Sequence, residues 1–268
     1  MIIDFHHHMG TEPDYADRLA GECERLDIGK VCLLALPDYH GPARGNKAVA
    51  AACGRYPDLF IGFAYVDLGH DDVCQVDTAC EQGFRGLKLI YPRFPYDDER
   101  LFPIYERAAA LGMVCLFHLG IVARDDTLRP GYTIRNDYMR PIQLDTIARV
   151  FPSLTIVGAH LGNPWHAEAA MACRWNPNLY FDLTGSTLKK KSPEELGRLL
   201  WWRPDTRYRD PLGRHAWQKI LFGSDVPWHE VEDVLRDYRR CMDDLQISPD
   251  IQHQVLGETA AALLGLQA

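Results

Sequence analysis

Short apolar runs alternate with amphipathic segments along the whole chain. The first run, Ile2-Ile3-Asp4-Phe5, is too short for a helix and reads as a strand that passes into His6-His7-His8 and stops at Gly10. Apolar residues at helical spacing follow over 12–26, ending at Gly29. Val31-Cys32-Leu33-Leu34-Ala35-Leu36, stopped by Pro37, is continuous enough to be a strand buried on both faces. The pattern then predicts helices over 46–56, 71–82, 97–111, 138–151 and 165–174. Strands are predicted over 59–66, 85–90, 113–119, 154–160, 179–183 and 219–225. A polar, Arg-containing loop fills 120–137. The segment 192–217 is expected to hold one short helix and an aromatic loop, and helices over 231–245 and 249–266 close the chain.

Eight buried strands alternating with helices imply a parallel sheet, and eight such units in this length imply an α/β, (β/α)8 TIM barrel forming one domain over 1–268. The rival is an open doubly wound sheet. No Gly-rich phosphate loop follows the first strand, so the barrel is preferred.

Composition changes this picture little. With 47% hydrophobic and 25% charged residues the chain is ordinary for a globular protein, and its net charge of -8 disfavours a nucleic-acid or anionic-membrane surface. No apolar run is long enough to span a bilayer, and the N-terminal residues lack the pattern of a signal peptide, so a cytoplasmic location is expected. The eight cysteines form no C-x-x-C pair and read as buried thiols in a reducing compartment.

The chemistry gathers at strand ends. In a strand His6 and His8 share one face and His7 takes the other, so two imidazoles can bind one metal ion. Three histidines after an apolar strand do not resemble a purification tag. His118 ends strand five, His160 strand six and Asp225 strand eight, each after an apolar run where a polar side chain is costly, and Lys88 lies in strand four. A single buried histidine is usually a core residue. Several converging on the C-terminal mouth of a barrel, where such folds place their sites, point to metal chemistry.

The arrangement H-x-H, His, His, Asp, with G-L-K-L, F-H-L-G, G-A-H-L-G, F-G-S-D-V-P-W and L-G-E-T-A-A-A-L-L-G, resembles the amidohydrolase superfamily, and most closely its "amidohydrolase 2" branch of hydrolases, lactonases and decarboxylases. The resemblance implies His6, His8, His118 and Asp225 as metal ligands, with Asp225 also a base and His160 polarising the substrate or stabilising an oxyanion. It implies one divalent ion, zinc by default, with manganese, cobalt or iron able to use the same ligands. Lys88 would either be a carboxylated bridge to a second metal or pair with Asp225 or a substrate anion. His7 is expected to be structural.

Loop residues that could line the mouth are Asp38, Tyr39, His40, Tyr91, Arg93, Arg124, Tyr132, Arg135, Asn163, Trp165, His166, Trp228 and His229. Arg93 and Arg124, with Tyr91 and Trp228, are the first candidates for binding a small, acidic substrate. The aromatic loop from Trp201 to Trp217 could cover the site or form a homodimer contact. Ser224 and Cys115 lie beside ligands, but no G-x-S-x-G elbow supports a serine nucleophile. Three functions stay open: a metal-dependent hydrolase of an amide, ester or lactone; a metal-dependent nonoxidative decarboxylase of an unsaturated or aromatic acid; and a silent barrel that keeps metal or ligand for stability.

Overall fold

A computed structural model describes residues 1–122, 133–200 and 209–266. Eight parallel strands form one sheet in sequence order: β1 (Ile2–His7), β2 (Ile28–Leu34), β3 (Phe60–Tyr65), β4 (Gly86–Leu89), β5 (Val114–Phe117), β6 (Ile156–Gly158), β7 (Leu179–Asp182) and β8 (Ile220–Leu221). Phe5 N–H donates to Phe222 O at 2.9 Å and Asp225 N–H to His6 O at 2.7 Å, so β8 returns to β1 and closes the barrel. Around it run α1 (Tyr15–Leu26), α2 (Asn46–Arg55), α3 (Val73–Glu81), α4 (Phe102–Ala110), α5 (Pro141–Val150), α6 (His166–Trp175), α7 (Thr187–Lys190), α8 (Pro193–Leu199), α9 (Val231–Asp244), α10 (Pro249–His253) and α11 (Thr259–Leu263). The predicted (β/α)8 architecture is the one found.

Alternation along each strand sorts side chains into two cores. Phe5, Leu34, Phe63, Leu116, Val157, Tyr180 and Leu221 fill the lumen together with Ala260 and Leu264 from the last helix, and Phe5 meets Phe63 edge-on at 5.6 Å across it. Val31, Leu33, Leu87, Leu89, Phe117 and Phe181 instead pack outward against the helices. Counting two residues on from the lumen side chains reaches His118 on β5 and Asp182 on β7, while Lys88 points inward between Leu87 and Leu89.

On β1 the count breaks. Asp4 pairs with Val31 but His7 with Leu33, so three steps on β1 match two on β2, which is a bulge. Phe5 faces the lumen, and so does His6. Asp4 and His7 face outward, where both contact Ser224 and His7 reaches Tyr15 of α1. The expected split of His6 and His8 from His7 holds, but a bulge aims the pair inward.

Several expected boundaries move for local reasons. Helix α1 ends at Asp27, which is left-handed (φ 56°) and donates its N–H to Cys23 O and Glu24 O, so Gly29 lies inside β2. Strand β8 keeps two residues because Ala216–Lys219 winds into a 3-10 turn before it. The last helix is interrupted by a π-turn, Gln254–Glu258, in which Gly257 lies so close to Met1 O that a Cβ would sit 2.1 Å away. Of the aromatic segment, Trp217 is a fully buried core residue, whereas 201–208 lie outside the described residues, as do Arg124 and Tyr132.

Candidate metal centre

The ends of β1, β4, β5, β6, β7 and β8 bring His6, His8, Lys88, His118, His160, Asp182 and Asp225 to the mouth of the lumen. Two of these take unusual backbones: His160 (φ 61°) and Asp225 (φ 47°) are left-handed, a conformation that costs a residue with a Cβ and that recurs where a side chain must be aimed at a site. Gly223 is required beside them, since a Cβ there would lie 2.8 Å from that of His6.

Hydrogen bonds fix which nitrogens carry protons. His6 Nδ1 lies 2.8 Å from Asp182 Oδ2, and His8 Nδ1 lies 2.7 Å from Leu34 O. Both acceptors demand an N–H, so each ring carries its proton on Nδ1 and a lone pair on Nε2. The two Nε2 atoms nevertheless face one another at 3.4 Å, and Asp225 Oδ1 lies 3.8 Å from each. Three lone-pair donors thus converge, and the Lys88 ammonium reaches only the first of them. A cation satisfies all three, and metal–nitrogen bonds of ~2.0–2.1 Å in tetrahedral geometry separate ligand atoms by about 3.4 Å. The residues fit a divalent metal.

Lys88, 1% exposed, places Nζ 3.1 Å from His6 Nε2. Burial lowers its pKa to about 8, against the opposing pull of Asp225 and Asp182. The imidazoles of His8 and His118 are held well below their ordinary range, first by burial and then by neighbouring Lys88 and histidine charges, and His160 is lowered by burial. They are therefore neutral near pH 7, as metal ligation requires.

His160 enters this group more closely than expected. One atom each from His6, His160 and Asp225 lie within 4.8 Å of one another, while His118 stands one step back with Nδ1 3.3 Å from His160 Nε2. His118 Nε2 is buried without a hydrogen-bond partner among the described residues, as a displaced or vacant ligand atom would be.

Asp182 and Arg44 were missed by the sequence analysis. Asp182, fully buried, accepts from His6 Nδ1, from His160 N–H at 2.8 Å and from the Thr184 hydroxyl at 2.5 Å. Burial would raise its pKa, but His6, His160 and Thr184 more than offset that and hold it well below the usual carboxylate range. Its signal was present: an aspartate in the apolar run Leu179-Tyr180-Phe181-Asp182-Leu183 carries the same cost that singled out His118. Arg44 lines a cleft of about 270 Å³ together with His8, Asp225, Tyr15 and Glu12; its Nε donates to Met9 O, and no carboxylate among the described residues forms an ion pair with it. No sequence pattern marks it, because it sits in a 3-10 turn between β2 and α2.

The other expected rim residues that the structure describes have these neighbours. Arg93 is exposed and paired with Asp67 at 3.2 Å. Tyr91 is buried and stacks on His40 at 5.6 Å, with Tyr39 beside them. Trp228 is half-buried under the Arg18 guanidinium, Trp165 under that of Arg140, and Asn163 donates to Ser186 Oγ. His166 contacts Leu161 O, Arg135 donates to Tyr138, and Asp38 and His229 are exposed. Ser224 bonds to Asp4 and His7, and Cys115 packs outward, so neither faces the site.

Known structures share the fold. A TIM-barrel protein from Bordetella bronchiseptica superposes with a TM-score of 0.74 at 20% identity, covering 98% of each chain. Dihydroorotase from Saccharomyces cerevisiae, solved with 5-fluoroorotic acid, gives 0.64 at 11% identity over 100% of this chain and 84% of its own. A 5-carboxyvanillate decarboxylase from Novosphingobium aromaticivorans, solved with manganese and 4-hydroxy-3-methoxy-5-nitrobenzoic acid, gives 0.60 at 16% identity over 93% and 80%. None of the curated proteins matches the chain. The amidohydrolase family profile matches residues 38–266, most of the barrel and every strand end of the site except that of β1. The chain belongs to the amidohydrolase family.

Proposed function

We propose that the protein is a metal-dependent hydrolase that cleaves an amide, ester or lactone bond of a small carboxylate-bearing molecule. The observation that carries this is the convergence of His6 Nε2, His8 Nε2 and Asp225 Oδ1 as three unprotonated donors. His6, His8 and Asp225 would hold the ion, with His118 or His160 completing the set; zinc is the first choice, and manganese, cobalt or iron suit the same donors. A bound ion supplies Lewis acidity, polarising a carbonyl and acidifying a water. Asp225 Oδ2, directed at His160, is the base that takes the water's proton. His160 presents an unprotonated Nε2, so it serves as ligand or second base; the expected oxyanion role needs a proton it does not carry in this tautomer. Arg44, with no acidic partner among the described residues and sharing a cleft with His8 and Asp225, binds the substrate carboxylate.

One observation favours the decarboxylase as second reading. Carbon protonation after loss of CO2 needs a donor, and the Lys88 ammonium, buried beside His6, is placed to be one. Product analysis across lactones, amides and aromatic acids decides: ring opening or acid release supports hydrolysis, and CO2 release supports the lyase. Asp225→Asn is expected to lower turnover by about 10²–10⁴-fold without loss of fold. Full turnover in that variant removes Asp225 as the base. The eight free thiols suit a cytosolic setting, and light scattering distinguishes monomer from homodimer.

A further inference from the structure

The β7 carboxylate reaches two imidazoles of the site by two routes. Asp182 Oδ2 lies 2.8 Å from His6 Nδ1. Its Oδ1 accepts from the backbone N–H of His160 at 2.8 Å, the backbone N–H of Thr184 at 3.0 Å and the Thr184 hydroxyl at 2.5 Å. A hydroxyl has one proton. Because that proton goes to Asp182, Thr184 Oγ1 offers only lone pairs to His160 Nδ1, 2.7 Å away. His160 Nδ1 must then be the protonated nitrogen, and its Nε2 is left bare toward His118 Nδ1 at 3.3 Å. Both residues are sealed from water, at 0% exposure for Asp182 and 2% for Thr184, so solvent does not compete for these bonds.

We propose that Asp182 is a positioning residue that sets the tautomer of two of the site's histidines, directly for His6 and through Thr184 for His160. It extends the metal-centre assignment above, in which the bare Nε2 atoms are the working atoms. One buried carboxylate turns both lone pairs into the lumen, and β7, which gives no ligand, sets what its neighbours can bind. Partners of this kind raise ligand basicity and fix ring orientation.

Substitution separates the two routes. In Thr184→Val, His160 loses the hydroxyl that accepts its Nδ1 proton, and Asp225 Oδ2 at 3.9 Å is beyond hydrogen-bond distance. His118 Nδ1 stays available to Nε2, so the proton is expected to move to Nε2. His6 loses only a 3.5 Å contact with that hydroxyl and keeps its 2.8 Å bond to Asp182. Thr184→Ser restores the hydroxyl and the original tautomer. In Asp182→Asn the amide oxygen replaces Oδ1 as acceptor for the His160 and Thr184 donors, so the NH2 group turns to His6 Nδ1 and drives that proton to Nε2. Long-range ¹H–¹⁵N correlation spectra of metal-free protein with labelled histidine read these protons directly. Zinc affinity by competition with a chromophoric chelator is expected to fall about 10–100-fold in Asp182→Asn. It should stay near wild type in Thr184→Ser. A wild-type His160 protonated on Nε2 overturns the proposal, as does an unchanged His160 tautomer in Thr184→Val. If wild type binds no metal but the tautomers behave as stated, the positioning role stands and the metal assignment fails. Should Asp182→Asn not fold, the Thr184 pair decides alone.

Discussion

His6 Nε2 and His8 Nε2 face each other at 3.4 Å, and neither carries a proton to share. In water such a contact would relax, since two acceptors at this range repel. The Lys88 ammonium reaches only His6 Nε2, at 3.1 Å, so a further cation is what the His8 lone pair and Asp225 Oδ1 call for. Protein purified without added metal is therefore expected to hold about one equivalent of a divalent ion, and His8→Ala to lose it, with affinity reduced by more than the ~100-fold typical of an outer-shell change. Elemental analysis per chain reads the result. Two equivalents would instead make Lys88 a bridge, and none after reconstitution would end the catalytic assignment.

Arg44 is expected to act on substrate binding more than on chemistry. Arg44→Met should raise KM for carboxylate-bearing substrates about tenfold or more while kcat changes little, because a charge-assisted hydrogen bond is worth roughly 1.5–3 kcal/mol. Steady-state kinetics on matched acid and neutral-amide substrates check it. An equal effect on both would mean that Arg44 supports the loop at Met9 rather than the ligand.

Tyr15 links two ends of the segment that carries Asp225. Its hydroxyl lies 3.0 Å from His7 Nε2 and accepts from Trp228 N–H at 3.1 Å, while His7 Nδ1 contacts Ser224 Oγ. Tyr15→Phe leaves a buried imidazole and an amide without a partner and should cost about 1–3 kcal/mol in urea unfolding. Because Asp225 is left-handed between those anchors, activity should fall by more than stability alone explains. Unchanged stability would show that the hydroxyl is replaceable by water.

Lys219 supplies a test remote from the site. It is fully buried, donates to Cys173 O and Asn176 O, and lies 4.0 Å from Asp210. Lys219→Met strands two carbonyls and should cost about 2–4 kcal/mol. Burial lowers the lysine pKa, so between that lowered value and 10.5 the unfolded chain binds the extra proton. Stability of the wild type relative to the variant must therefore rise with pH in that window and decline as pH falls through it. Paired denaturation midpoints from pH 8 to 10 test the sign.

The barrel was legible because doubly buried strands read as near-continuous apolar runs. Even β8 was found, although only two of its residues make ladder pairs. The histidines and Asp225 were legible because each ends such a run. Asp182 carried the same sign but has no counterpart in the quoted motifs, and its meaning depends on Thr184 and His6, which are close only in space. The rim was poorly legible. Arg93 pairs with Asp67, 26 residues away, a neighbour that no sequence spacing reveals. Arg44 became a candidate only once the β1–α1 loop enclosed a cleft around it.

The bulge on β1 has a bearing on how this centre can be altered. Because Phe5 and His6 both enter the lumen, the apolar plug below and the polar layer above are decoupled: their phases along the strand are set independently. Removing Phe5 or His6 would restore regular pairing with His7 still opposite Leu33, so His7 stays outward and His8 inward; what is lost is one lumen side chain, either the top of the apolar plug or half of the imidazole pair. The extra residue is thus what lets one strand give the lumen an apolar side chain and an imidazole in succession, and substitutions at Ile3 or Phe5 leave the aim of the pair intact.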